Sequence, residues 1–194
     1  MPTVEIVRFP ASDAFVKNPL DFKDGLDILN NAAGVISTHY GIQYEDKRSG
    51  YLFVTWESYQ HHQDFIQHAS YPKLGAALAL VPSGPFDVQH VDFDDDATPT
   101  FDAPATEVVF LTPKTKDGVR LEDFHTTLTA LREALVKDST VRTIALGESR
   151  EIKGTWVMAH VDTVAKGVFP ELVKNLFAVA DIDLKHVEFT KHSK

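Results

Sequence analysis

Phe22-Lys-Asp-Gly-Leu26-Asp-Ile-Leu29 and, 102 residues further on, Phe124-His-Thr-Thr-Leu128-Thr-Ala-Leu131 carry the same apolar residues at the same helical spacing. A second pair of words, His90-Val-Asp-Phe93 and His186-Val-Glu-Phe189, recurs at an offset of 96, and Gly50 and Gly154 each open a predicted strand. Words that return at a nearly constant separation are the signature of one structural unit used twice. The drift in offset implies small insertions in loops.

Around these words the first half reads as one series of elements. Residues 3–9 alternate as a strand that Pro10 stops, and the Phe22, Leu26, Leu29 period is a helix ended by Asn30, Asn31 and Gly34. Residues 35–44 form a second strand with Ile36, Tyr40, Ile42 and Tyr44 on one side and Ser37, His39, Gly41 and Gln43 on the other. A hairpin at 45–50 leads to a third strand at 51–56. Ser58 caps a helix running through Gln67, Ser70-Tyr-Pro72 opens a further helical stretch to Leu80, and 86–93 is a fourth strand. The order is β-α-β-β-α-β. Residues 94–104, with three successive acids and two prolines, are the only linker-like stretch. The order then restarts with strand 106–112, helix 121–136, strands 141–148 and 154–161, helix 169–177 and strand 182–189.

These elements predict an α+β chain of two tandem ferredoxin-like βαββαβ repeats, 1–94 and 105–194, joined by a linker at 95–104. One such unit covers only one face of its four-stranded sheet with helices, and the other face needs cover. Two units facing each other supply it and close an α/β barrel within one chain, whose interior either holds a small apolar ligand or is filled by side chains, a choice the sequence leaves open. Because side chains alternate, the second strand turns either Ile36, Tyr40, Ile42 and Tyr44 or Ser37, His39, Gly41 and Gln43 to that interior, and the less apolar side, with His39, suits a cavity with polar handles.

Composition removes several function classes. With 43% hydrophobic and 24% charged residues the chain is ordinary for a globular protein. A net charge of −9 with no Lys/Arg cluster lacks the footprint for nucleic acid or an anionic membrane surface. Zero cysteines exclude disulfides, thiolate metal sites and Cys nucleophiles. No signal-peptide pattern is visible in residues 1–9, and the longest apolar stretch, 75–82, is too short to cross a bilayer, so an intracellular, cytoplasmic protein is expected. The ten glycines form no phosphate-binding loop, and no Gly-x-Ser-x-Gly elbow is present.

The stretch Val54-Thr-Trp56-Glu-Ser58-Tyr-Gln-His-His-Gln-Asp64-Phe-Ile-Gln-His68 resembles the stress-responsive A/B-barrel (Dabb) family of the dimeric α/β-barrel superfamily. It is similar to olivetolic acid cyclase-type and antibiotic-biosynthesis-monooxygenase-type proteins. The resemblance implies small aromatic or polyketide-like ligands in a sheet-lined cavity, and chemistry without metal or organic cofactor. The superfamily also contains haem-binding members, so fold does not fix function. The polar Tyr and His of the cyclase type fall here at Phe65 and Tyr71, while His68 keeps the position of the family's other helical His. Phe65 has no hydroxyl, and Tyr71, with an unperturbed pKa of about 10, is a poor base near neutral pH.

His39, His68 and His90 are the acid/base candidates, since imidazole changes charge near neutral pH. His90, alternating with Phe86, Val88 and Asp92, is expected to point the same way as His39. Trp56 offers a face for a flat ligand, and Tyr71, Tyr44 and Phe65 are candidates to shape its pocket. His61 and His62 are expected on a solvated face. No metal site is expected, because His61 and His68 lie two turns apart, roughly 10 Å of rise. Registering Gly50 on Gly154 sets His160 against Trp56 and Asp162 against Ser58, so the motif is not retained in the second half and the first half is expected to hold the site.

The expected function is therefore a cofactor-independent enzyme of cyclase or monooxygenase type on a small aromatic, quinone-like or polyketide-derived substrate. Two other readings stay open: a non-catalytic stress-response binding or assembly protein, and haem binding through one of the histidines. Pairing of two chains into a homodimer is also left open.

Overall fold

The computed structural model describes residues 1–137, 143–161 and 170–193. Val141, Asp162 and Phe169, used in the readings above, lie outside them. The first half contains β1 (Thr3–Pro10), α1 (Asp13–Lys17), α2 (Lys23–Asn30), β2 (Val35–Gln43), β3 (Ser49–Trp56), α3 (Tyr59–Ile66), α4 (Tyr71–Ala77) and β4 (Asp87–Val91). After α5 (Thr98–Phe101) come β5 (Thr106–Pro113), α6 (Leu121–Lys137), β6 (Ile144–Glu148), β7 (Trp156–Val161), α7 (Pro170–Val179) and β8 (Ala180–Lys191). Local chemistry accounts for the helix starts near the site. The Ser58 hydroxyl accepts the His61 N–H at the start of α3, whereas Ser70, expected to cap α4, makes no side-chain cap bond and Pro72 sits in its first turn.

All strands join one eight-stranded sheet in the order β4-β1-β3-β2-β8-β5-β7-β6, and every pairing is antiparallel. Each half contributes the same internal order, fourth-first-third-second. The halves meet twice: β2 pairs with β8 along five residues, and on the far side a Val91–Ser149 bridge and the Arg150 N–H to His90 carbonyl bond (2.9 Å) bring β4 against the β6 edge. Both junctions require glycine. A Cβ on Gly41 would sit 2.4 Å from the Glu188 carbonyl oxygen, and one on Gly147 would sit 2.5 Å from that of Asp92. Backbone that close admits no side chain.

Alternation sorts the apolar residues into an interior and two outer layers. Val4, Ile6, Phe53, Val108 and Val157 face inward, Leu52, Val54 and Trp56 face α2–α4, and Val109 and Leu111 face α6 and α7. Of the two states the sequence leaves open for the interior, the structure shows the filled one. Phe53, Phe101 and Phe189 meet there ring to ring, with centroids 4.7, 5.0 and 5.8 Å apart, and fill the centre of the barrel. Phe101 comes from the stretch that reads as a linker. Its acids Asp95 and Asp96 are exposed, but α5 turns Thr100 and Phe101 fully inward as a plug. The space left for a ligand lies elsewhere.

Candidate active site between sheet and helices

On β1 the residues alternating with Val4 and Ile6 are Glu5 and Val7, which point outward under the helices of the first half. The ladder sets Glu5 opposite Val54 on one side and opposite His90 on the other. Immediately after β3, the Ser58 cap starts α3, whose inward face carries His62 and Phe65, three residues apart. The result is a cavity of about 270 Å³ between sheet and helices. Leu52 and Leu74 form its apolar floor and roof, Phe65 and Tyr71 one wall, and Glu5 and His62 its polar end. A concave, mostly apolar space with a few convergent polar groups is the form small-molecule sites take, and here its mouth opens to solvent past Tyr71, Phe86 and Val88.

A continuous polar chain runs from that end to the surface. The Trp56 indole N–H donates to Glu5 Oε2 (3.0 Å), and Glu5 Oε1 lies 3.5 Å from His62 Nε2. His62 Nδ1 is 2.7 Å from His90 Nε2, and His90 Nδ1 is 2.7 Å from Glu151 Oε1. The backbone N–H of His90 also donates to Glu151 Oε2 (2.6 Å). The Trp56, His62 and His90 rings follow one another at 5.0 and 4.7 Å, tilted by about 30°.

Burial sets the electrostatics. It pushes the Glu5 carboxyl up to about 7, against the opposing Trp56 hydrogen bond and with help from the Glu151 charge. It pushes His62 down to about 4, His90 acting in the same direction. Near pH 7 the cavity therefore ends in a carboxyl group on the edge of ionisation beside a neutral imidazole, a pair suited to proton transfer. Glu5, His62 and His90 also each offer a donor atom within 4.8 Å of one another, residue types that would suit a transition metal. Here His62 Nδ1 and His90 Nε2 are bonded to each other, and Glu5 stands 3.5 Å from His62 Nε2.

The second half repeats part of this construction with the opposite electrostatic outcome. Glu107 occupies on β5 the place of Glu5, opposite His186 on β8 as Glu5 is opposite His90. Glu45, in the β2–β3 hairpin, holds the His186 N–H and Nδ1 at 3.0 and 2.7 Å, as Glu151 in the β6–β7 hairpin holds those of His90. The ladder gives His160 the place of Val54, opposite Glu107, which corrects its registration against Trp56. Burial, the largest single influence, would raise Glu107, but the hydrogen bond and charge of His160, 2.8 Å away, together with His186 bring the carboxyl below its ordinary value. One half keeps its buried acid ionised and paired; the other keeps it near neutrality at a cavity.

Of the residues expected at a site, Phe65 and Tyr71 line the cavity, and Trp56 stands beside it, bonded to Glu5. His90 does not point the same way as His39. It faces the helix layer, because the register that opposes it to Glu5 puts both on the outer face. His39 does point into the barrel, but into packed aromatic side chains, with Nε2 2.7 Å from Asp102 Oδ1 and Nδ1 unpartnered; burial lowers its pKa. His68 is exposed beyond α3, where its Nδ1 accepts the Ser70 N–H, and Tyr44 is exposed beneath Lys47. His62, expected in solvent, is 5% exposed. Glu5 and Glu151 are not among the residues the sequence singles out. Glu5 had a signal, an acid alternating with Val7 and Phe9 on the helix-covered face; a hairpin acid such as Glu151 has none.

Neither a family model nor a curated protein matches the sequence. Solved structures do. A candidate monooxygenase from Fusobacterium nucleatum shares 11% identity over 100% of this chain and 94% of its own, with a TM-score of 0.68. One from Lactobacillus acidophilus shares 10% over 99% and 96%, with a TM-score of 0.65. An anthrone oxidase-like protein shares 11% over 100% and 94%, with a TM-score of 0.62. At these identities the likeness is one of fold. The chain shares with these structures the fold of an antiparallel α/β barrel, with both four-stranded halves carried on one polypeptide.

Proposed function

We propose that this chain is a cofactor-independent enzyme of monooxygenase or cyclase type, acting on a compact aromatic, quinone-like or polyketide-derived molecule held between the first-half sheet and its helices. The observation that carries the reading is Glu5, a buried carboxyl held near pKa 7 at the polar end of an apolar cavity. As carboxylate it takes a proton from a ring hydroxyl or an activated C–H of the substrate. The resulting anion is electron-rich enough to react with dioxygen or with a carbonyl of its own side chain. Neutral His62 completes the polar end, and Phe65 and Tyr71 give the ring a face and an edge to pack against. The anthrone oxidase-like and monooxygenase descriptions of the structural neighbours support the substrate class by analogy of fold.

The same strand order in each half supports descent of residues 1–94 and 105–194 from one duplicated unit. Among the described residues no helix is long and apolar enough to cross a membrane. The lack of cysteine supports a reducing compartment such as the cytoplasm. The barrel is completed within one chain, so a homodimer would form through its outer surfaces.

The test is oxygen uptake and product analysis with a panel of phenols, naphthols and anthrones in chelator-treated buffer. Turnover of a panel member by the wild-type chain, reduced about 10²-fold or more in Glu5→Gln, is expected. Binding in the cavity without conversion would establish the non-catalytic reading. Turnover unchanged in Glu5→Gln would remove Glu5 from the chemistry.

A further inference from the structure

We propose that His62, His90 and Glu151 form a proton relay between Glu5 and bulk water, whose outer carrier is supplied by the second half of the chain. The proposal rests on the reading of Glu5 as the group that exchanges a proton with substrate.

The hydrogen-bond geometry fixes the direction of each link. Glu151 accepts the backbone N–H of His90, and as a carboxylate it accepts from Nδ1 as well, so Nδ1 carries the hydrogen of the neutral His90 ring. His90 Nε2 is then a lone pair, and the bond to it at 2.7 Å must be donated by His62 Nδ1–H. His62 Nε2 is left as a lone pair facing Glu5 Oε1 at 3.5 Å, the one link that must shorten for transfer. Protonated Glu5 supplies the matching O–H. All donors point from the cavity to the surface, along side chains that are 12, 7, 6 and 35% exposed in turn.

One shift along this chain balances. Glu5 gives its proton to His62 Nε2, His62 Nδ1–H passes to His90 Nε2, His90 Nδ1–H passes to Glu151, and Glu151 releases one proton to water. Both rings end neutral with hydrogen on Nε2. They are then oriented to carry the next proton inward from Glu151 to Glu5, with no ring rotation. Export followed by import matches a reaction that first removes a substrate proton and later returns one to the product anion.

The groups packed around the relay leave this path intact. Tyr59 lies edge-on to His90 at 5.0 Å, and Arg150 stacks on Tyr59 and pairs with Asp92, so the nearby cation is occupied. The second half shows what a structural version looks like. His186 is held by Glu45 in the same manner, but its Nε2 faces Glu107 Oε1 directly, 3.8 Å away.

Two measurements on the full chain test the relay. Long-range ¹H–¹⁵N NMR at pH 6, where Glu5 is mostly protonated, should find the hydrogen of the neutral His62 and His90 rings on Nδ1; hydrogen on Nε2 of either neutral ring breaks the chain of donors and overturns the proposal. The second uses whichever panel phenol or anthrone the wild-type turns over. Glu151→Gln, which still accepts from His90 but cannot carry a proton, should lower kcat tenfold or more at unchanged KM, enlarge the solvent deuterium effect and recover activity with added imidazole. Glu45→Gln should leave kcat unchanged. Wild-type kcat in Glu151→Gln while Glu5→Gln is inactive would sink the relay and leave Glu5 as the acid/base group. Activity that requires added Zn²⁺ or Co²⁺, lost with His90→Gln, would replace the relay by a metal site. No turnover of any panel member would remove the acid/base reading and the relay with it.

Discussion

Replacing Glu5 by Gln should make the protein more stable at alkaline pH, and the size of the gain follows from its site. The carboxyl is 12% exposed, with its pKa raised from 4.5 to about 7. A folded-state pKa above the unfolded one means that folding favours the protonated form. That contribution is fully present below pH 4.5, is lost progressively as pH rises toward 7, and is gone above it. At about 1.4 kcal/mol per unit, the loss between pH 4.5 and pH 8 is about 3 kcal/mol. Gln keeps the shape and the Trp56 acceptor but does not titrate. His62, held down to about 4, lowers stability as pH falls below 6.5 in both proteins, so the difference between them isolates Glu5. Urea unfolding of both proteins from pH 4.5 to 8 should show that difference growing by about 3 kcal/mol in favour of the variant. In calorimetry this is about 6–12 °C in Tm at pH 8. A difference constant to within about 0.5 kcal/mol over that range would refute the claim that Glu5 is buried against its charge.

Other perturbations address other parts of the structure. Trp56→Phe removes the donor that stabilises ionised Glu5, so the Glu5 carboxyl, followed by ¹³C NMR, should titrate above its wild-type midpoint, and a lower midpoint would contradict the contact. Phe101→Ala empties the aromatic centre of the barrel and should cost about 3–5 kcal/mol in urea unfolding. A cost under about 1 kcal/mol would mean that α5 is a linker after all. Gly147→Ala places a methyl against the Asp92 backbone at the β4–β6 junction and should cost about 1–3 kcal/mol, while Gly75→Ala, which meets nothing within 4 Å, should cost none.

Much of the fold was legible because it depends on periodicities that a sequence displays. Phe22, Leu26 and Leu29 against Phe124, Leu128 and Leu131 gave both the helices and the repeat, and the order of strands around them followed. The polar side of β2 is indeed the barrel's inner side, but alternation does not say whether an interior is open. Three phenylalanines from 53, 101 and 189 decide that, and no local pattern joins them. The stretch 94–104 was misread because its acids dominate its composition while two adjacent residues, Thr100 and Phe101, determine its path.

The candidate site was legible in part. Trp56, Phe65 and Tyr71 lie in one short stretch, and the resemblance pointed to it. His90 was named but assigned to the wrong face, since parity on an edge strand depends on its register with β1. The sequence reading places His61 and His62 together on a solvated face; adjacent helical positions face different directions, and it is His62 that turns inward. Glu151 reaches the site only through the closure of the barrel, 61 residues from the His90 it touches. Contacts of that kind are a product of topology.

The central claim is that the ligand site lies between the first-half sheet and its helices, with Glu5 at its polar end. A crystal structure of the chain soaked with 1,8-dihydroxyanthrone and related phenols tests it most directly. The expected result is a ring between Leu52 and Leu74, against Phe65 and Tyr71, with an oxygen within hydrogen-bonding distance of Glu5. A ring found instead inside the barrel, or in the recess of about 330 Å³ beside Arg8 and Gln89, with the cavity at Glu5 left unaltered, would contradict it.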